Sequence, residues 1–88
     1  MDEKDDRLLW SNFLSENDDA YEYIYQKHIQ HLFLYGLTFT KDTEFLKDCI
    51  QDVFTRIYQN RRHLGQTDNI RLYLLTALKN TIHVHAIY

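Results

Sequence analysis

Acidic and amide side chains recur along one stretch in the middle of the chain. On an α-helix these positions fall within about 100° of one another, with Arg56 at one edge. They are Glu44, Asp48, Gln51, Asp52, Thr55 and Gln59. Carboxylates and amides accept hydrogen bonds from guanidinium groups, so this face suits docking of a basic helical partner. A solvated helix face shows the same pattern, and periodicity alone leaves both interpretations open.

Charge is divided unevenly along the chain. Residues 1–52 hold five Lys or Arg and twelve Asp or Glu, a net charge of −7. Residues 53–88 hold five Lys or Arg and one Asp, a net charge of +4. The overall charge of −3 argues against a general nucleic-acid binder, but the basic second half could face phosphate. An uneven but solvated surface would show the same asymmetry.

Four helical segments must position these side chains. The 88 residues suffice for one domain, and 44% of them are hydrophobic, with no Pro and only two Gly. Apolar periodicity predicts helices over about 6–14, 18–37, 43–61 and 69–83. A polar loop containing Gly65 is expected over residues 62–68. The fold class is therefore all-α, a compact bundle of four helices forming a single domain.

Other chemistry finds little support in the residue pattern. His28 and His31 share a helix face, but no further ligand of matching spacing completes a metal site. His28 lies in the buried stripe and is interpreted as a structural histidine with satisfied hydrogen bonds, and Cys49 as a core residue. A single cysteine agrees with a reducing cytoplasm. No catalytic constellation, signal peptide or membrane span is evident, so we expect no enzyme, cofactor, metal or membrane contact.

Three segments together resemble region 2 of the extracytoplasmic-function sigma factors, in the sigma-70 family. Residues 48–58 (Asp-Cys-Ile-Gln-Asp-Val-Phe-Thr-Arg-Ile-Tyr) are similar to the region 2.2 pattern. Residues 17–25 (Asn-Asp-Asp-Ala-Tyr-Glu-Tyr-Ile-Tyr) are similar to the opening of region 2.1. Residues 69–80 resemble the segment in which an aromatic-Leu pair precedes a basic-Asn dipeptide. The order of the three segments and the gaps between them match the family. The abundance of Tyr and Asn is most similar to factors of the Bacteroidetes.

The resemblance implies a polymerase-docking role for the third helix. In the family this helix binds the coiled-coil clamp helices of the β′ subunit of core RNA polymerase. Carried over position by position, the expected polymerase-binding residues are Asp48, Gln51, Asp52, Thr55, Arg56 and Tyr58. Four of these also belong to the acidic and amide face described above, so the helical periodicity and the resemblance indicate the same face of the third helix.

The resemblance also implies recognition and melting of the promoter −10 element, with binding of its single-stranded non-template strand. Such binding needs cations for phosphate, amides for base edges and an aromatic surface for an unstacked base. The expected DNA-binding residues are Asn60, Arg61, Arg62, Gln66, Asn69, Arg71, Tyr73, Lys79 and Asn80. Tyr73 also fits the apolar period of its helix, and Arg61 and Arg62 could instead complement the dipole of the third helix.

A complete factor of this family also contains region 4, a helix-turn-helix domain that binds the −35 element. We expect residues 1–88 to form region 2 alone, because no such domain follows Thr81. Residues 82–88 depart from the family pattern, which puts DNA contacts beyond Asn80 in question. The alternative function is a helical protein-interaction module, such as a decoy for the polymerase clamp or for an anti-sigma factor, without DNA recognition.

Overall fold

The computed structural model describes residues 3–86, and all regular structure in that range is helical. The bounds are α1 Glu3–Leu14, α2 Asp18–Gly36, α3 Thr43–Gln59 and α4 Ile70–Ala86, with one 3-10 turn at Arg61–His63. The predicted bundle of four helices is confirmed, and every helix end lies within three residues of its expected position. None of the helices in residues 3–86 is both long and apolar enough to span a membrane.

Side-chain caps determine where three helices begin. Asn17 Oδ1 accepts a hydrogen bond from the Ala20 N–H at 3.1 Å, and Asp42 Oδ1 accepts one from Phe45 at 3.1 Å. Asn69 Oδ1 accepts from the Leu72 N–H at 3.0 Å, which explains why α4 begins one residue later than predicted. Each cap satisfies a backbone donor that the first helical turn leaves without a partner.

The third helix ends two residues before the predicted bound of Arg61. Asn60 accounts for the difference, because its side-chain Nδ2 and its backbone N–H both donate to Arg56 O, at 2.9 and 3.0 Å. The His63 N–H then donates to Asn60 O at 2.8 Å and starts the 3-10 turn. This competition between a side chain and the helix ladder is typical of Asn.

Helix α2 packs against each of the other three long helices, and α3 also packs against α4. The fully buried apolar side chains come from all four helices, so the bundle has one shared core. The core includes Trp10 and Phe13 from α1, Ile24 and Leu32 from α2, Leu46, Val53 and Phe54 from α3, and Ile70, Leu74 and Leu78 from α4. Cys49 is buried as predicted, and burial raises the pKa of its thiol.

Trp10 connects the core to the loop between the 3-10 turn and α4. Its Nε1–H donates to Gly65 O at 2.8 Å. The indole ring lies 4.9 Å from the Tyr73 ring and 5.1 Å from the Phe13 ring, measured between centroids. The loop is therefore attached to α1 and α4 through one buried aromatic side chain.

His28 is buried, as predicted, but the expectation of satisfied hydrogen bonds is wrong. Neither ring nitrogen has a hydrogen-bond partner in the described part of the chain. Asp6, whose charge acts on His28, already accepts from the Ile70 N–H at 3.0 Å and pairs with Lys27 at 3.7 Å. Burial is the main cause that lowers the pKa of His28 to about 4.

Gly36 ends α2 and lies close to Leu46 of α3. A Cβ at this position would overlap Cδ1 of Leu46, which is fully buried and has little room to move. We expect Gly36→Ala to lower the free energy of unfolding by about 1 kcal/mol, since overpacking outweighs the better helix propensity of Ala. Urea unfolding followed by circular dichroism would measure it.

Gly65 provides the matched control for that substitution. A Cβ at Gly65 has no atom within 4 Å, and the residue does not have a positive φ. Gly65→Ala should therefore be neutral or slightly stabilising. Equal stability of the two alanine variants would contradict the close approach of α2 and α3 at Gly36.

Candidate protein-docking and nucleic-acid surfaces

Three of the predicted polymerase-binding side chains lie open on the outer face of α3. Asp48, Gln51 and Thr55 are exposed, and none forms a side-chain hydrogen bond or ion pair with another described residue. They occupy successive turns of α3, opposite its buried face. We call these three residues the docking stripe. Their carboxylate, amide and hydroxyl groups are available to a partner.

The other three predicted polymerase-binding residues are engaged within the chain. Asp52 is half-buried, and its Oδ2 forms an ion pair with Arg56 Nε at 3.2 Å, without hydrogen-bond alignment. The same oxygen lies 3.6 Å from His85 Nε2 of α4. Tyr58 donates from its hydroxyl to Asp18 Oδ1 at 3.2 Å, and its ring packs 4.8 Å from that of Tyr21. These residues lie beside the docking stripe on α3, and their contacts within the chain compete with contacts to a partner.

A shallow apolar groove of about 430 Å³ runs beside the docking stripe, between α2 and α3. Half-buried Tyr25, Ile29 and Phe33 line it from α2, and buried Ile50 and exposed Gln51 line it from α3. Sequence reasoning missed this groove. Ile29 lies outside the buried stripe predicted for α2, and an apolar residue at that position was the available signal.

The two adjacent arginines of the 3-10 turn are paired with two carboxylates, one in the α1–α2 turn and one at the start of α2. Arg62 binds Glu16 with two contacts, Nε to Oε2 at 2.9 Å and Nη2 to Oε1 at 3.2 Å. Arg61 contacts Asp18 Oδ1 at 3.3 Å and Glu16 Oε1 at 3.5 Å, and its guanidinium lies 4.1 Å above the Tyr58 ring. The hydrogen bonds and charge of Arg62 lower the pKa of the Glu16 carboxyl. Sequence reasoning missed both carboxylate partners.

Two predicted amide contacts serve local structure. Gln66 Nε2 donates to Arg7 O at 2.9 Å and to Thr67 O at 3.2 Å. Asn69 Oδ1 caps α4, as described above, which leaves its Nδ2 for other contacts. The loop is therefore held by its own side chains before any ligand is considered.

Tyr73 stands at the centre of the predicted DNA-binding residues that the fold brings together. One groove of about 480 Å³ contains Asn69, Tyr73 and Asn80 beside Asp68 and Leu72. A second cleft of about 270 Å³ shares Tyr73 and Asn80 and adds Asn60 from the end of α3. We call Asn60, Asn69, Tyr73 and Asn80 the tyrosine cluster. Its amides line the two clefts in which this half-buried ring lies, and burial raises the pKa of the Tyr73 phenol.

Arg71 and Lys79 do not belong to the tyrosine cluster. Arg71 is two residues from Tyr73, so it points about 200° away around α4. It lies towards α2, where its charge contributes to the lowered pKa of His28. Lys79 is exposed on the outer side of α4 and lines neither groove. The predicted cations are thus spread around the bundle instead of forming one patch.

Comparison of the chain with protein-family models, curated proteins and solved structures finds no match. The interpretation of the two surfaces therefore depends on their own geometry and on the motif resemblance. No group of three metal-ligating side chains occurs in the described part of the chain. The described part of the chain presents an exposed polar face on α3 and a half-buried aromatic ring at Tyr73.

Proposed function

We propose that this chain is a sigma-factor region 2 domain of the extracytoplasmic-function type, acting in the bacterial cytoplasm. It docks on the β′ clamp helices of core RNA polymerase through α3 and holds the single-stranded −10 element at the tyrosine cluster. The observation that supports it most is the docking stripe. Asp48, Gln51 and Thr55 stand exposed on the face that the family uses for the clamp.

The proposed polymerase docking depends on which side chains of α3 are exposed and which already pair within the chain. Asp48 and Gln51 offer a carboxylate and an amide to arginines of a partner helix. Arg56 neutralises Asp52 at 3.2 Å, so the partner's charge is met mainly by Asp48. The apolar groove continues from Gln51 towards α2 and can accept an apolar side chain of the same partner.

The DNA half depends on the tyrosine cluster. An unstacked base can lie against the exposed part of the Tyr73 ring, and the amides of Asn60 and Asn80 can bond to its edges. Arg62 follows Asn60 by two residues and is exposed, so it would contact a phosphate of the strand. Tyr73 is half-buried, so part of its ring is accessible while the ring also packs 4.9 Å from that of Trp10.

One observation favours the alternative function, a protein-interaction module without DNA recognition. Carboxylates neutralise both arginines of the 3-10 turn, so the charge available to phosphate is smaller than the sequence indicates. Such a module would present the same docking stripe to the polymerase clamp or to an anti-sigma factor. Neither function involves catalysis.

Two binding measurements separate these functions. We expect the chain to bind core RNA polymerase and, separately, a single-stranded oligonucleotide carrying a −10 element. Tyr73→Leu keeps an apolar side chain against Trp10 but removes the stacking surface, so it should weaken oligonucleotide binding about tenfold. Fluorescence anisotropy measures the DNA arm and a pull-down measures the polymerase arm.

Tyr23→Leu is the matched control, because Tyr23 is an exposed tyrosine of α2, away from the tyrosine cluster. It should leave both affinities unchanged. Binding to polymerase alone would support the alternative function. Binding to neither ligand would refute the proposed function and the polymerase-clamp form of the alternative. Equal effects of the two tyrosine substitutions would refute stacking on Tyr73.

A further inference from the structure

The turn between α1 and α2 has an unusual backbone at Glu16. Its φ is 67°, which makes it the only residue other than glycine with a positive φ in the described part of the chain. Glu16 follows the end of α1, and the Asn17 N–H donates back to Asn12 O at 3.0 Å. Glycine or asparagine normally occupies such a left-handed position after a helix, because a side chain is strained there. The backbone therefore gives no reason for glutamate.

The carboxylate of Glu16 has a specific partner. Its two oxygens accept from Nε and Nη2 of Arg62, at 2.9 and 3.2 Å, in the two-pronged arrangement that arginine also forms with phosphate. Oε1 is shared with Arg61 Nη2 at 3.5 Å. Together with Asp18, two carboxylates face two guanidinium groups, and the formal charges of the cluster cancel.

We propose that Arg61 and Arg62 form a phosphodiester-binding site that the Glu16 carboxylate occupies in the free chain. A single strand must displace Glu16 before its phosphate can reach Arg62. This inference rests on the proposed DNA-binding function and adds to it a competing group within the chain. It assigns a role to a residue that the motif resemblance does not include.

The two arginines contribute differently. The Arg61 side chain is only 13% exposed and lies between Asp18 and the Tyr58 ring, so it stays in place and supplies fixed charge. The Arg62 side chain is 73% exposed, and its contacts to Glu16 lie at the surface. Exposed ion pairs are weak and screened by salt, so a phosphate with a second anchor can replace this carboxylate.

Glu16→Asn tests the competition. Asparagine tolerates the left-handed backbone and removes the carboxylate, so the turn should persist. We expect about fivefold tighter binding of a single-stranded −10 oligonucleotide at low salt, because this change in affinity corresponds to the free energy of one exposed ion pair. The slope of log affinity against log salt should also become steeper, by up to about 0.7, as one more cation becomes available to phosphate.

Asp19→Asn is the matched control, because it changes the net charge equally. Asp19 is exposed in the first turn of α2 and pairs with neither arginine. It should tighten binding less than Glu16→Asn, and Arg62→Ala should abolish the gain from Glu16→Asn. Equal gains in both asparagine variants, or weaker binding in Glu16→Asn, would overturn the proposal. If neither the wild type nor Glu16→Asn bound the oligonucleotide, the DNA half of the proposed function would fail with it. If the wild type bound the oligonucleotide and Glu16→Asn did not change the affinity, competition by Glu16 would be refuted and the DNA-binding function would stand.

Discussion

Replacing Asp48 with lysine and Gln51 with alanine is expected to weaken binding to core RNA polymerase about 100-fold, from loss of a charged contact plus like-charge repulsion. Both side chains are exposed and form no side-chain hydrogen bond or ion pair with another described residue. The substitutions therefore remove nothing from the bundle itself, and the circular dichroism spectrum should not change. A pull-down with core polymerase over a range of concentrations measures the effect.

Asp52 is the less suitable position for this test, although the motif resemblance includes it. Its carboxylate pairs with Arg56 at 3.2 Å and approaches His85 at 3.6 Å, so a lysine there would also disturb the contact between α3 and α4. Asp48→Lys can be compared with Asp19→Lys, which makes the same charge reversal on an exposed residue of α2. Wild-type affinity in the Asp48 and Gln51 variant, or equal losses in both lysine variants, would rule out docking through the stripe.

The four helices were predictable because their signals are local. Caps such as Asn17 and Asp42 act within three residues of their own position, and the apolar period of α3 repeats along its whole length. The end of α3 was less predictable. Asn60 can continue a helix or stop it by bonding to Arg56 O, and local sequence does not decide between the two.

The docking stripe was predictable for the same reason, since all of its residues lie on one helix and helical geometry alone places them together. The carboxylate partners of the arginines were not. Glu16 and Arg62 are 46 residues apart, and their contact depends on how the α1–α2 turn packs beside the end of α3. Tyr73 is intermediate, because it stands at the edge of the apolar arc of α4, and only packing against Trp10 determines its half-buried state.

The missing hydrogen bonds of His28 were not predictable from the sequence, and its burial without them leads to a second prediction with a large effect. The free energy of unfolding should fall by about 2 kcal/mol between pH 7 and pH 5, because the unfolded chain binds a proton at His28 more readily. The pKa of His28 falls from its ordinary 6.5 to about 4 in the folded protein. Burial is the first cause, followed by the positive charge of Lys27, while Asp6 opposes them and Arg71 and His31 add smaller effects. The stability that depends on a neutral His28 is therefore fully present above pH 6.5 and is lost as the pH falls towards 4.

The pH window separates His28 from the carboxylates. The hydrogen bonds and charge of Arg62 lower the pKa of Glu16, so this carboxylate contributes stability that is present above its ordinary value of 4.5 and is lost only as the pH falls below it. His28→Leu fills the site without the two unsatisfied nitrogens, so urea unfolding at pH 7 and pH 5 should give nearly equal free energies. His31→Leu, one turn further along α2 but exposed, should keep the wild-type loss. If His28→Leu also kept that loss, the buried ring would not be its source.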